Sequence, residues 1–180
     1  MNKLVVISGC SGGGKSTLIS ELSNHGYTVI NEVGRKLVKE QLAAKTEITP
    51  WQNPKAFCEL LIEESVTAFQ SAAKIKNAKN NIIFFDRCFL EGICYYQTLK
   101  INDANKYNNI IDEFRYYHTI FMTPPWPEIF CQDEERQHNF NDALDEYQRL
   151  VEGYPKFGYK IIEIPKINVT DRVKFIFSNI

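Results

Sequence analysis

Lys3-Leu4-Val5-Val6-Ile7-Ser8-Gly9-Cys10-Ser11-Gly12-Gly13-Gly14-Lys15-Ser16-Thr17, residues 3–17 (KLVVISGCSGGGKST), is the stretch whose reading decides the fold. The apolar run from Lys3 to Ser8 predicts a buried strand. Residues 9–16 match GxxxxGK[ST] in full. A triphosphate needs many donors at close range, more than bulky side chains can supply. Glycines let the backbone curl so that successive N–H groups point inward. The helix expected from Ser16 to His25 adds the positive end of its dipole. Gly9, Cys10, Ser11, Gly12, Gly13, Gly14, Lys15, Ser16 and Thr17 are therefore the expected nucleotide cradle. Lys15 is expected to reach the β- and γ-phosphates, and the Ser16 hydroxyl to ligate Mg2+. A dinucleotide loop of GxGxxG type gives that lysine no purpose.

Outward from this stretch the chain alternates strand and helix. Tyr27 to Asn31, Asn81 to Asp86, Tyr117 to Thr123 and Tyr159 to Ile164 read as further strands. Helices are expected over Val33 to Ala44, Pro54 to about Ala78, Leu90 to Leu99, Ala104 to Arg115, Ala143 to Glu152 and Asp171 to Ser178. Five apolar strands separated by helices imply an α/β fold, a parallel sheet with helices on both faces. Ligands of such sheets bind outside the carboxyl ends of the strands. Candidate residues are therefore sought just after strands.

Asp86 ends the apolar run IIFFD. It is expected to hold the metal, through water, or to accept a proton from an acceptor hydroxyl; the bland alternative is a helix N-cap. Arg87 either forks onto a phosphate or substrate, or pairs with Glu91 four residues on. Glu32, after the second strand, either deprotonates an acceptor hydroxyl or sits as an acid favoured by a helix dipole. Arg35, one turn on, pairs with it or binds substrate. The polar stretch Gln132 to Asn141 follows Pro124, Pro125 and Pro127 and lacks periodicity. It marks a lid near residues 125–140, with Arg136 as the arginine that closes on the phosphates. The alternative is a solvated loop with surface ion pairs. The aromatics Tyr95, Tyr96, Trp51 and Phe57 either stack on a base or fill the core.

The bulk numbers agree with one domain over residues 1–180. Hydrophobic residues make up 44% of the 180 and charged residues 24%, with a net charge of −1. No basic excess points to a nucleic-acid polymer. No apolar run approaches the ~18 residues of a membrane span. Cys10, Cys58, Cys88, Cys94 and Cys131 are odd in number and lack CxxC spacing, which suggests reduced cytoplasmic thiols. Ile7 to Cys10 imitates a lipoprotein cleavage box. The apolar stretch before it is shorter than an h-region of about 7–15 residues.

The pieces ISGCSGGGKSTLISEL, GYTVINEVGRKLV, PWQNPKAF, IIFFDRCFLEGICYY, TPPWPEIFCQDEERQ and YKIIEIPKINVTDRVKFI run in order along nearly the whole chain. Together they resemble a family of P-loop ATPase/kinase domains that includes nicotinamide-riboside-kinase-like domains. The resemblance implies a nucleoside/nucleotide-kinase-like three-layer fold with sheet order 2-3-1-4-5. It implies Glu32 and Arg35 at the acceptor site, Asp86 and Arg87 beside the phosphates, and Arg136 in the lid. It also implies PKINVTDRV near the nucleotide base.

Two functions compete. One is a phosphotransferase using ATP or GTP with Mg2+ on a small nucleoside-like or nucleotide-like acceptor. The other is a nucleotide-dependent regulatory module with a protein or lipid partner and no small-molecule acceptor. A Ras-type switch lacks its DxxG and NKxD here, the chain having Asp86-Arg87-Cys88-Phe89 and Asn168-Val169-Thr170-Asp171. Neither the acceptor nor the oligomeric state is written in the sequence.

Overall fold

The structure is a computed structural model that describes residues 2–99, 101, 103, 105–130 and 139–180. Five strands, β1 (Lys3–Gly9), β2 (Thr28–Ile30), β3 (Ile82–Asp86), β4 (Thr119–Thr123) and β5 (Lys160–Glu163), form one parallel sheet in the order β2-β3-β1-β4-β5. The expected sheet and its order are both present. Around it lie α1 (Lys15–Asn24), α2 (Val33–Ala43), α3 (Pro54–Ala73), α4 (Phe89–Thr98), α5 (Asn108–Glu113), α6 (Phe140–Lys156) and α7 (Val169–Phe177).

The alternation of side chains along the strands explains the layers. Val5, Ile7, Phe84 and Phe121 point to one face and join Leu18 and Leu22 of α1 with Val173 and Ile176 of α7. Leu4, Val6, Ile83, Phe85, Ile120 and Met122 point to the other and meet α3, α4 and α6. Both faces of the central strands are therefore apolar. Val5, Val6 and Ile7 are fully buried, each contributing about 1.5–3 kcal/mol by burial.

Register carries this order to the site. Ile7 lies opposite Asp86 in β3, and Gly9 opposite Thr123 in β4. The ends of β1, β3 and β4 thus share one edge of the sheet, where the glycine loop emerges.

Three helices differ from the expectation by more than two residues at an end. α3 stops at Ala73, because Asn77, Asn80 and Asn81 take positive φ, a conformation asparagine tolerates but a helix does not. α5 is reduced to six residues. α6 is longer at both ends, from Phe140 through Pro155 to Lys156.

Candidate functional site

The phosphate loop depends on close backbone approach. Gly9 leaves β1 at φ 127°, and a Cβ there would lie 2.3 Å from the Thr123 carbonyl oxygen. Gly14 occupies the position before α1 at φ 73°, and no side chain caps the helix. The first turn of α1 therefore keeps its amides for a ligand. Behind the loop, the buried Arg172 of α7 donates from Nη2 to the Gly13 carbonyl at 3.1 Å and from Nη1 to the Gly14 carbonyl at 3.3 Å. A trans peptide points its N–H opposite to its C=O, so the N–H groups of Gly14 and Lys15 are turned away from Arg172. Arg172 is the main contribution of the PKINVTDRV segment to the site. Its guanidinium also lies 5.6 Å from the Trp126 ring.

Lys15 and Asp86 meet beside the loop. Lys15 Nζ lies 3.4 Å from Asp86 Oδ1; Lys15 is buried and Asp86 only slightly more exposed. That contact is too loose to be a good hydrogen bond, and Asp86 Oδ1 is left without a donor. Ser16, at the start of α1, is exposed and lines the same cavity as Asp86. A buried carboxylate oxygen lacking a donor, with a serine hydroxyl on the same wall, suits a hard divalent cation. Cys10 is buried within the loop, and burial pushes its thiol up to about 11.

Arg87 follows Asp86 with φ 69° and is enclosed by three carboxylates. Its Nη1 donates to Glu91 of α4 and, at 2.7 Å, to Glu146 of α6. Its Nε lies 3.4 Å from Glu32. Burial alone pulls the guanidinium pKa down, yet Glu146, Glu91 and Glu32 drive it well above its ordinary value. The pair with Glu91 expected from the spacing is present, and the side chain also lines the cavity. Glu32 also lies 3.7 Å from Arg35.

Glu91 is tied down further. The Ser8 hydroxyl donates to its Oε1 at 2.7 Å, and the Tyr154 hydroxyl donates to Ser8 Oγ at 2.7 Å while lying 3.0 Å from the same carboxylate oxygen. Burial raises the Glu91 pKa, against the pull of Arg87. Glu146 also accepts from the Ser11 amide of the loop at 3.2 Å. Burial pushes its carboxyl up, but Arg87 and Lys15 outweigh that and hold it below its usual range.

These groups open onto a single cavity of about 1160 Å³. The loop, Asp86 and Arg87 form one side of it, and Glu32, Arg35, Trp51, Phe57, Tyr95 and Arg149 line the rest. Trp51 is exposed and Phe57 buried. Tyr96 is buried in the core against Tyr107 rather than facing the cavity. Arg136 lies outside the described residues.

Residues 4–172 match the family described as AAA domain. The chain belongs to the AAA domain family. Nothing among curated proteins matches it. Among solved structures, this AAA domain resembles deoxyadenosine kinase from M. mycoides with dCMP and dCDP bound. The two are 16% identical, with 98% of this chain and 97% of that one covered at a TM-score of 0.67. Thymidylate kinase from Candida albicans is 15% identical over 99% of this chain and 90% of its own, with a TM-score of 0.64. NadR protein in complex with NR is 17% identical over 91% of this chain and 43% of its own, at 0.61. These likenesses show that the AAA domain here has the three-layer fold of P-loop kinases.

The sequence reading missed Glu146, Arg149, Arg172 and Tyr154. All four lie on α6 or α7, far along the chain from the residues they face. Local spacing carries no signal for such contacts. The one available hint was the row of polar side chains on α6 that also bears an apolar face.

Proposed function

We propose that this chain is a phosphotransferase that moves the γ-phosphoryl group of ATP or GTP onto a hydroxyl of a small nucleoside-like acceptor. The observation that carries the reading is the cavity. A drug-sized ligand site occupies ~300–1,000 Å³, so a volume of about 1160 Å³ running from the glycine loop to Trp51 has room for nucleotide and acceptor together. The regulatory-module alternative needs only the loop and gives the Glu32–Trp51–Arg149 side of the cavity no ligand.

In this reading the amides of residues 9–17 and Lys15 hold the β- and γ-phosphates. Ser16 and Asp86 would hold Mg2+, which when bound offsets the negative charge of the phosphates. The acceptor oxygen attacks the γ-phosphorus, the bond to the β,γ-bridging oxygen breaks, and the nucleoside diphosphate leaves. The acceptor proton passes to a carboxylate, Glu32 or Asp86. Lys15 lies beside Asp86, whereas Arg35 and Arg87 orient Glu32. Arg136 is assigned to the closing lid. The buried thiols suit a reducing, cytoplasmic setting.

The test is release of ADP or GDP with and without a panel of nucleosides. Acceptor-dependent release supports the kinase, and turnover indifferent to every acceptor supports the module. Lys15→Ala is expected to reduce kcat/KM by about 100-fold or more with its melting curve cooperative. Undiminished turnover in that variant overturns the assignment.

A further inference from the structure

The far end of the cavity is a slot between three helices. Phe57, Leu61, Ser65 and Ala68 form a stripe on one face of α3, and Gly92 and Tyr95 face the cavity from α4. α6 brings Arg149 to the same slot. The crossing is fixed by close contact. A Cβ on Gly153, four residues after Arg149 and on the same face of α6, would meet Cys94 Sγ of α4 at 2.3 Å. A Cβ on Gly92 would meet Ile62 of α3 at 2.9 Å.

Arg149 is half-buried, with its guanidinium 5.2 Å from the centre of the Tyr95 ring. Its Nε is buried and has no hydrogen-bond partner. Among the described residues no carboxylate forms an ion pair with it. Glu146, one turn earlier, is turned to Arg87 and Ser11 instead. Its Nε–H is thus a buried donor with no acceptor among the described residues, a group that ordinarily finds one. Phe57, Leu61, Ala68 and Tyr95 make this part of the lining largely apolar, with Ser65 and, one turn before Arg149 on α6, Asp145 as polar neighbours. Such a slot suits a flat ring better than a hydrated phosphate, which needs several donors at once. Arg149 lies about 4.5 Å further along the α6 axis than Glu146. Asp86 and Arg149 line the same cavity, so a molecule whose hydroxyl meets Asp86 can extend its ring toward Arg149.

Resting on the phosphotransferase reading above, we infer that Arg149 selects the acceptor by its ring edge. The acceptor is a purine nucleoside whose base presents two neighbouring hydrogen-bond acceptors, the 6-oxo group and N7, to the guanidinium fork. A guanidinium bonds both O6 and N7 of guanine. An amino group at the same place, as in adenine, sets donor against donor and leaves both unpaired.

The experiment compares guanosine and inosine with adenosine, in both ribose and deoxyribose forms. Calorimetry reads binding, and acceptor-dependent diphosphate release reads kcat and KM. The wild-type protein is expected to favour the oxo bases about ten-fold or more in both. Arg149→Met, which keeps the stem and removes the fork, is expected to bring that ratio close to one, chiefly through KM. Arg149→Lys, retaining charge without the fork, is expected to fall between; it and the wild-type ratio decide the matter if Arg149→Met does not fold. Equal treatment of oxo and amino bases by the wild type, or a ratio unchanged in either variant, overturns the inference. So does the absence of nucleoside binding at millimolar concentration. Arg149-dependent binding without transfer overturns the phosphotransferase reading alone, and transfer with a ratio indifferent to Arg149 overturns this inference alone.

Discussion

At Arg87, one side chain holds three elements together. It sits after β3 in a left-handed conformation, φ 69°, that costs a non-glycine residue of order 1 kcal/mol. The reward is a guanidinium that reaches Glu32 before α2, Glu91 on α4 and Glu146 on α6. Arg87→Ala leaves Glu91 in the core with only hydroxyl partners, since Ser8 and Tyr154 are what remain. Truncating one partner of a buried pair costs about 3–5 kcal/mol. For a chain of this size that lowers Tm by roughly 6–20 °C. A thermal melt superimposable on the wild type refutes the bridging role. The residue was visible in the sequence, and so was its pairing with Glu91, because i,i+4 spacing is local. Glu146, 59 positions away, was not.

Among the elements, α6 shows how local rules and tertiary contacts divide the work. Its start is set by a capping box: Asn139 accepts from the Asp142 amide at 3.0 Å, and Asp142 accepts from the Asn139 amide at 2.8 Å. That signal was present in the sequence, but the polar character of Gln132 to Asn141 hid it. Its continuation through Pro155 breaks the local rule, since proline normally ends a helix. Here Pro155 falls in the last turn, where Tyr154, fully buried, anchors the chain through its hydroxyl to Ser8. Packing outweighs one lost hydrogen bond. Gly153 is the tightest point of the crossing with α4, so Gly153→Ala forces Cys94 or the helix to move. The expected loss is about 1–3 kcal/mol, read as a lower urea midpoint with an unchanged slope. An unaltered midpoint argues that α6 and α4 are not closely packed, which also loosens the placement of Arg149.

For the molecule as a whole, the buried thiols set an alkaline limit. Burial pushes Cys10 up to about 11 and Cys58 and Cys94 to about 12, from an ordinary value of 9.0. In the unfolded chain these thiols ionise near their ordinary value, while the folded protein keeps its protons. The folded state therefore binds more protons in this window, and stability falls as pH rises through it. Their contribution is fully present below pH 9 and is lost progressively toward pH 11–12. Tm is expected to decline from about pH 9 upward, and replacing the three cysteines by alanine flattens that decline. An alkaline limb identical in the triple variant overturns the attribution.

What the sequence determined by itself was everything carried by short spacing: the glycine loop with its lysine and serine, the alternation of strand and helix, and the acids Glu32 and Asp86 just past their strands. These are local because backbone curl, side-chain periodicity and strand ends depend on neighbours within a few residues. Only the tertiary structure decided what stands opposite them. Parallel strands joined by crossovers bring Gly9 beside Thr123 and Ile7 beside Asp86. They fold α6 and α7 back over the loop, so that Glu146 and Arg172 reach it from more than 120 positions away. A hydrogen bond between such distant residues follows from which faces bury apolar surface, a property of the packed whole that no local stretch of sequence contains.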